Sequence, residues 1–119
     1  MIGSTDYFNN CTSNSTISVP SNTFGCQNTI NGNSYVGFQA YENVPGVDYR
    51  EYLAIKLISS LIQGKTYKVI FNVSLSEISD CAIGTIGLCF SNDSLLYNDL
   101  NSYNISVIPQ IESIACNFI

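Results

Sequence analysis

Apolar and polar residues alternate most regularly from Lys65 to Ser76, where Tyr67, Val69, Phe71, Val73 and Leu75 oppose Thr66, Lys68, Asn72, Ser74 and Ser76. A period of two puts each set on its own face, so the spacing predicts a long strand with one wet side. Tyr49 to Leu57 repeats the pattern, with Leu53, Ile55 and Leu57 on one face and Arg50, Tyr52 and Lys56 on the other. Tyr35 to Tyr41 reads as a strand after the turn signal Asn31-Gly32-Asn33, and Asn43-Val44-Pro45-Gly46 reads as a second turn. Thr85 to Ser91, with Ile86, Leu88 and Phe90 inward, and Ser102 to Ile108, ending before Pro109, complete the predicted strands. Gly3 to Ser34 has scattered apolar residues among Asn, Ser, Thr and Gly. It reads as extended loops with short strands whose order needs outside support. A helical reading of Leu53 to Ile62 is disfavoured by Ser59-Ser60 and by an uncapped start. Short strands with turn signals about every 10 residues predict one all-β domain over residues 1–119, an antiparallel β-sandwich.

Composition narrows the chemistry. The 119 residues include 14 Asn, 16 Ser and 15 Ile but no His and no Trp. Charged residues make up 11%, against roughly 25% in an average soluble protein. Neutral polar groups must therefore wet the surface. Nine acidic and four basic residues leave a net charge of −5, with no basic stripe to track phosphates, which argues against nucleic acid as a partner. No apolar run is long enough for a membrane-spanning helix, so membrane insertion is not expected. Met1 to Asn10 lacks the basic and apolar regions of an export signal. Two readings stay open on that ground: a mature exported chain, or a protein that remains in the cell.

Without His, neither a Ser-His nor a Cys-His nucleophile is available. The carboxylates Glu42, Asp48, Glu51, Glu77 and Asp80 are read as sheet-margin and loop groups rather than as a glycosidase pair, and the chain is not expected to be an enzyme. Five cysteines without a CxxC pair, in a chain without His, argue against a zinc site. Cys11 and Cys26 are the candidate disulfide: a bridge there would close about 15 residues and stabilise by roughly 3 kcal/mol. Cys81 and Cys89 read as free thiols packed as small apolar groups, and Cys116 as a leftover thiol or a partner for a residue elsewhere. A sugar site needs aromatic planes for the apolar side of the ring and polar groups for its rim. Arg50, Tyr52, Lys56, Lys68, Asn72 and Ser74 share the polar faces of two predicted strands and form the candidate ligand patch, beside the alternative of an ordinary wet sheet face. Asn-x-Ser/Thr triplets at Asn10, Asn14, Asn72, Asn92 and Asn104 are what so much Asn and Ser gives by composition.

Tyr49-Arg50-Glu51-Tyr52-Leu53, Gly64-Lys65-Thr66-Tyr67, Phe71-Asn72-Val73-Ser74-Leu75-Ser76 and Ala82-Ile83 with Ile86-Gly87 together resemble a galactose-binding-like jelly-roll family of bacterial secreted and surface proteins. The opening is similar too: Asp6-Tyr7-Phe8-Asn9, Val19-Pro20-Ser21-Asn22, Phe24-Gly25-Cys26-Gln27 and Gly32-Asn33-Ser34-Tyr35-Val36-Gly37 follow in the family's order. The resemblance spans nearly the whole chain and implies a jelly roll that is secreted or on the cell surface and binds carbohydrate or a surface polymer. It also implies a structural calcium, for which Asp6, Asp93 and Asp99 are hard oxygen donors in loops. One departure qualifies it. Family members continue for several strands after the segment matching Ile108-Pro109-Gln110-Ile111, and one of those strands opens as Asn117-Phe118 does. The resemblance therefore implies a jelly roll lacking its last strands, either a fragment or a domain completed by strand addition from a protein partner. These expectations give two functions: a non-catalytic extracellular binding or adhesion module, or a structural subunit of a surface or appendage assembly.

Overall fold

A computed structural model of the chain describes residues 5–45, 47–93 and 107–113. It is all-β, and the described residues contain no helix. Among the described residues, eight short strands run in chain order: β1 Asp6–Asn9, β2 Ser21–Asn22, β3 Gly25–Cys26, β4 Ser34–Gly37, β5 Glu42–Val44, β6 Val47–Tyr49, β7 Gly87–Leu88 and β8 Ile111–Glu112. They pair antiparallel as β1–β4, β2–β3, β5–β6 and β7–β8, and among the described residues these pairs do not join into a larger sheet. A lone parallel bridge, Asn9 to Ser18, ties the loop after β1 back to its end.

Packing centres on β1. Phe8 pairs across the ladder with Tyr35 and is 1% exposed, the one fully buried side chain among the described residues. Its ring lies 5.1 Å from Tyr35 and meets Phe24 edge-on at 5.8 Å, a geometry worth about 0.5–1.5 kcal/mol per pair beyond area burial. Gly37 makes room for it, since a Cβ there would stand 2.7 Å from Phe8 Cε2. The Asn22 amide donates to the Tyr35 hydroxyl at 2.5 Å and to the Ser18 carbonyl at 3.2 Å, and this fastens the β2–β3 hairpin to the cluster.

The first third orders itself through the residues that looked like loop filler. Asn9 Oδ1 accepts from the Cys11 N–H, Asn14 Oδ1 from Thr16 N–H, and Asn22 Oδ1 from Phe24 N–H, all at 2.9–3.0 Å. Each is the local turn that short polar side chains make with the backbone two residues on. The expected short strands are present, and their order comes from within the segment, from Phe8 and, as outside support, from Ser76 and Glu77, whose side chains bond to the backbone at Phe24 and Cys26.

The long strands expected later in the chain are corrected. Tyr49 to Leu57 contributes only its first residue, at the end of β6, and Lys65 to Ser76 forms no ladder. Alternation assigns faces, but a strand also needs a neighbour for its backbone groups. Ile55 is 87% exposed and Ile70 70%, as unpaired segments leave them. Tyr35 to Tyr41 forms a strand as far as Gly37; of the expected turn Asn43 to Gly46, Gly46 lies outside the described residues, and Val44 pairs with Val47 in a hairpin. Thr85 to Ser91 narrows to Gly87–Leu88, paired with a strand after Pro109 that the alternation did not mark. Side chains lengthen that short ladder. Gln110 Oε1 accepts from the Phe90 N–H at 2.6 Å and its amide donates to the Phe90 carbonyl at 2.9 Å, while Ser113 Oγ accepts from the Ile86 N–H at 2.9 Å. Of the expected strand Ser102 to Ile108, residues 102–106 lie outside the described residues, and residues 107 and 108 are not in a strand.

Replacing Phe8 by Ala removes the shared wall of three elements. It should cost about 3 kcal/mol in urea unfolding, while Phe8→Leu should cost clearly less; equal, small losses would contradict a Phe8-centred core.

Candidate functional site

The β5–β6 hairpin positions the first two candidate ligand residues. Glu51 follows β6, and its backbone N–H donates to the Gln39 carbonyl at 2.8 Å. Its carboxylate accepts from the Gln39 N–H at 2.7 Å and from the Tyr49 hydroxyl at 3.0 Å. This half-buried carboxylate pins the chain on both sides of the hairpin, and its sequence neighbours Arg50 and Tyr52 are exposed. The Arg50 guanidinium stands 5.8 Å from the centre of the Tyr41 ring, within reach of a cation–π attraction of about 0.5–1 kcal/mol at an exposed site. Tyr41 and Tyr52 are 54% and 42% exposed. The Tyr41 phenol and the Arg50 guanidinium thus meet at the base of the hairpin, with Tyr52 exposed two residues further along the chain. Tyr41 was absent from the sequence-based patch because it lies on a different predicted strand; hairpin pairing brings it in.

Lys56, Lys68, Asn72 and Ser74 are also exposed, but they sit on segments that no ladder joins to β6. The shared sheet face that would unite all six residues is not formed. Cys11 and Cys26 are exposed free thiols: Cys11 Sγ lies 3.4 Å from Asn10 Oδ1 and Cys26 Sγ accepts from the Ser21 hydroxyl at 3.6 Å. The candidate bridge is thus not made, each sulfur being turned to its own local partner. Cys81 is exposed and free; Cys89 is half-buried and free, with its thiol donating to the Phe90 carbonyl at 3.7 Å. Asp6 is half-buried, Asp93 is exposed with its backbone carbonyl accepting from the Ser91 hydroxyl, and Asp99 lies outside the described residues. The described residues hold no cluster of three metal-ligating side chains.

Sequence reasoning missed a long-range clamp. The Ser76 hydroxyl donates to the Phe24 carbonyl at 2.6 Å, and Glu77 Oε2 accepts from the Cys26 N–H at 2.5 Å. Two consecutive polar side chains thereby grip the β2–β3 hairpin from some 50 residues away in sequence. Gly25 permits the grip. Its φ is +132°, which other residues rarely adopt, and a Cβ there would lie 2.0 Å from Glu77 Oε2. The Phe24-Gly25-Cys26 glycine was the available signal, though nothing local named its partner.

A cavity of about 340 Å³ is lined by Tyr67, Val69 and Phe71 together with Ile86, Leu88 and Phe90. The parity inferred from alternation is kept here even though the ladder is not. Compared with family models, with curated proteins and with solved structures, the chain matches none of them.

The clamp yields a prediction readable amide by amide. Glu77→Ala should speed hydrogen exchange at Cys26 and leave Tyr7 to Asn9 unchanged. Gly25→Ala, by expelling the carboxylate, should reproduce that effect, and the double variant should add little to either. Additive effects would mean that Gly25 and Glu77 act separately.

Proposed function

We propose that this chain is a non-catalytic extracellular binding module that recognises carbohydrate or a cell-surface polymer, its hairpins belonging to a sandwich of the jelly-roll type. The observation that carries this reading is the exposed Arg50–Tyr41 pair beside the exposed Tyr52, on a stretch that Glu51 ties to Gln39 and Tyr49. A pyranose ring has a weakly apolar face that stacks on a phenol and a rim of hydroxyls that a guanidinium reads as acceptors. Lys56, Lys68, Asn72 and Ser74 would extend contacts along a longer ligand. A location outside the cell agrees with the resemblance to secreted bacterial domains, and a structural calcium remains part of that resemblance alone.

A second reading has its own support. The chain exposes 9898 Å², whereas a folded monomer of 13.0 kDa is expected to expose about 6,300 Å². In the alternating segments at 50–57 and 65–76, Leu53, Ile55, Leu57, Val69 and Phe71 are exposed, and backbone and apolar faces of this kind suit pairing with a strand from a neighbour. On that reading the protein is a structural subunit of a surface assembly.

Titration against a broad glycan panel tests the first reading. Binding should weaken about tenfold or more on Arg50→Ala or Tyr52→Ala, the effect of losing about 1.4 kcal/mol. Absence of binding across the panel, together with assembly that grows with protein concentration, would replace the module by the subunit.

A further inference from the structure

We propose that Asn31-Gly32 is a self-modifying site, at which the asparagine converts without an enzyme to aspartate and isoaspartate. In the reaction the Gly32 backbone nitrogen gives its proton to water or hydroxide and attacks Asn31 Cγ. A new C–N bond closes a five-membered succinimide while the Cγ–Nδ2 bond breaks and ammonia leaves. Water then adds to either ring carbonyl and opens the ring, so one water is consumed and one ammonia released. The side-chain opening leaves an ordinary aspartate, and the main-chain opening leaves isoaspartate with an extra methylene in the backbone.

The reaction needs an unhindered successor nitrogen, a carboxamide not held elsewhere and access to water. Asn31 and Gly32 are both exposed, and a Cβ built on Gly32 meets nothing within 4 Å. The Thr29 hydroxyl donates to the Gly32 carbonyl at 2.9 Å, which leaves the Gly32 nitrogen untouched. Among the described residues no hydrogen bond engages either that N–H or the Asn31 carboxamide. The loop asparagines nearby differ on this point. Asn9, Asn14 and Asn22 have their carboxamide oxygens committed to backbone N–H groups two residues on, and Asn33 precedes Ser34, whose nitrogen belongs to β4. Asn31 is also the sole asparagine of the chain followed by glycine.

The position gives the change a structural effect. The Asn33 carbonyl accepts from the Asn10 N–H at 3.0 Å, next to the Asn9–Ser34 pair that ends the β1–β4 ladder. A methylene inserted two residues before Asn33 shifts that carbonyl, and a further negative charge joins a chain already at −5. The Phe8 cluster would loosen from this end.

The test is incubation of the folded full chain in heavy-oxygen water at mildly alkaline pH, followed by peptide mapping and by hydrogen exchange on the aged protein. Label should enter at position 31 at least about tenfold faster than at Asn14 or Asn33, since glycine alone leaves the approach open. Gly32→Ala should slow it by a similar factor, Asn31→Gln should abolish it, and the aged chain should exchange faster at Asn10. Even labelling across the asparagines would overturn the proposal. So would a position 31 that stays intact in the folded chain and reacts only in urea.

Discussion

The seating of Phe8 is the constraint on which the ordered part of this protein depends. One phenylalanine, opposite Tyr35 in the ladder and edge-on to Phe24, touches three elements that are otherwise two to four residues long. Strands that short contribute too few hydrogen bonds to stand alone in water. They persist because a common aromatic wall rewards all of them together, and because Gly37 lets the ring approach closely. The Asn22 amide and the Ser76-Glu77 clamp then attach β2–β3 and the distant 65–77 segment to the same centre.

How much of this was legible depended on whether the cause is local. The Asn31-Gly32-Asn33 turn and the strand after it are set by neighbouring residues, and both were readable. So was the parity of Tyr67, Val69 and Phe71 and of Ile86, Leu88 and Phe90, which line one cavity. Strand extent was not readable, because a ladder is a relation between two segments and periodicity describes one. The Gln110 amide pairing with Phe90 in the manner of a backbone illustrates this: no alternation marks it, and it lies beyond the proline where the last strand was expected to end. Glu77 escaped for the same reason, since its partner is Cys26.

The candidate site divides along the same line. Arg50 and Tyr52 are positioned by a hairpin and by Glu51, contacts made within about a dozen residues, and Tyr41 joins them through that pairing. Lys56, Lys68, Asn72 and Ser74 depend on a sheet between 50–57 and 65–76. A neighbour that supplied a strand there would bury apolar surface and align those polar residues at once. On the proposed readings, ligand recognition and assembly would then be linked through that one ladder, and the Arg50–Tyr41 pair beside β6 is formed without it.

The central claim is that order radiates from Phe8 and falls off along 50–73, and amide hydrogen exchange on the intact chain measures it directly. Slow exchange at Tyr7 to Asn9, Cys26 and Tyr35 to Gly37, with fast exchange through Leu53 to Ile70, is the predicted result. Uniformly slow exchange that included Lys65 to Ser76 would mean that a continuous sheet carries the fold, and it would contradict the account.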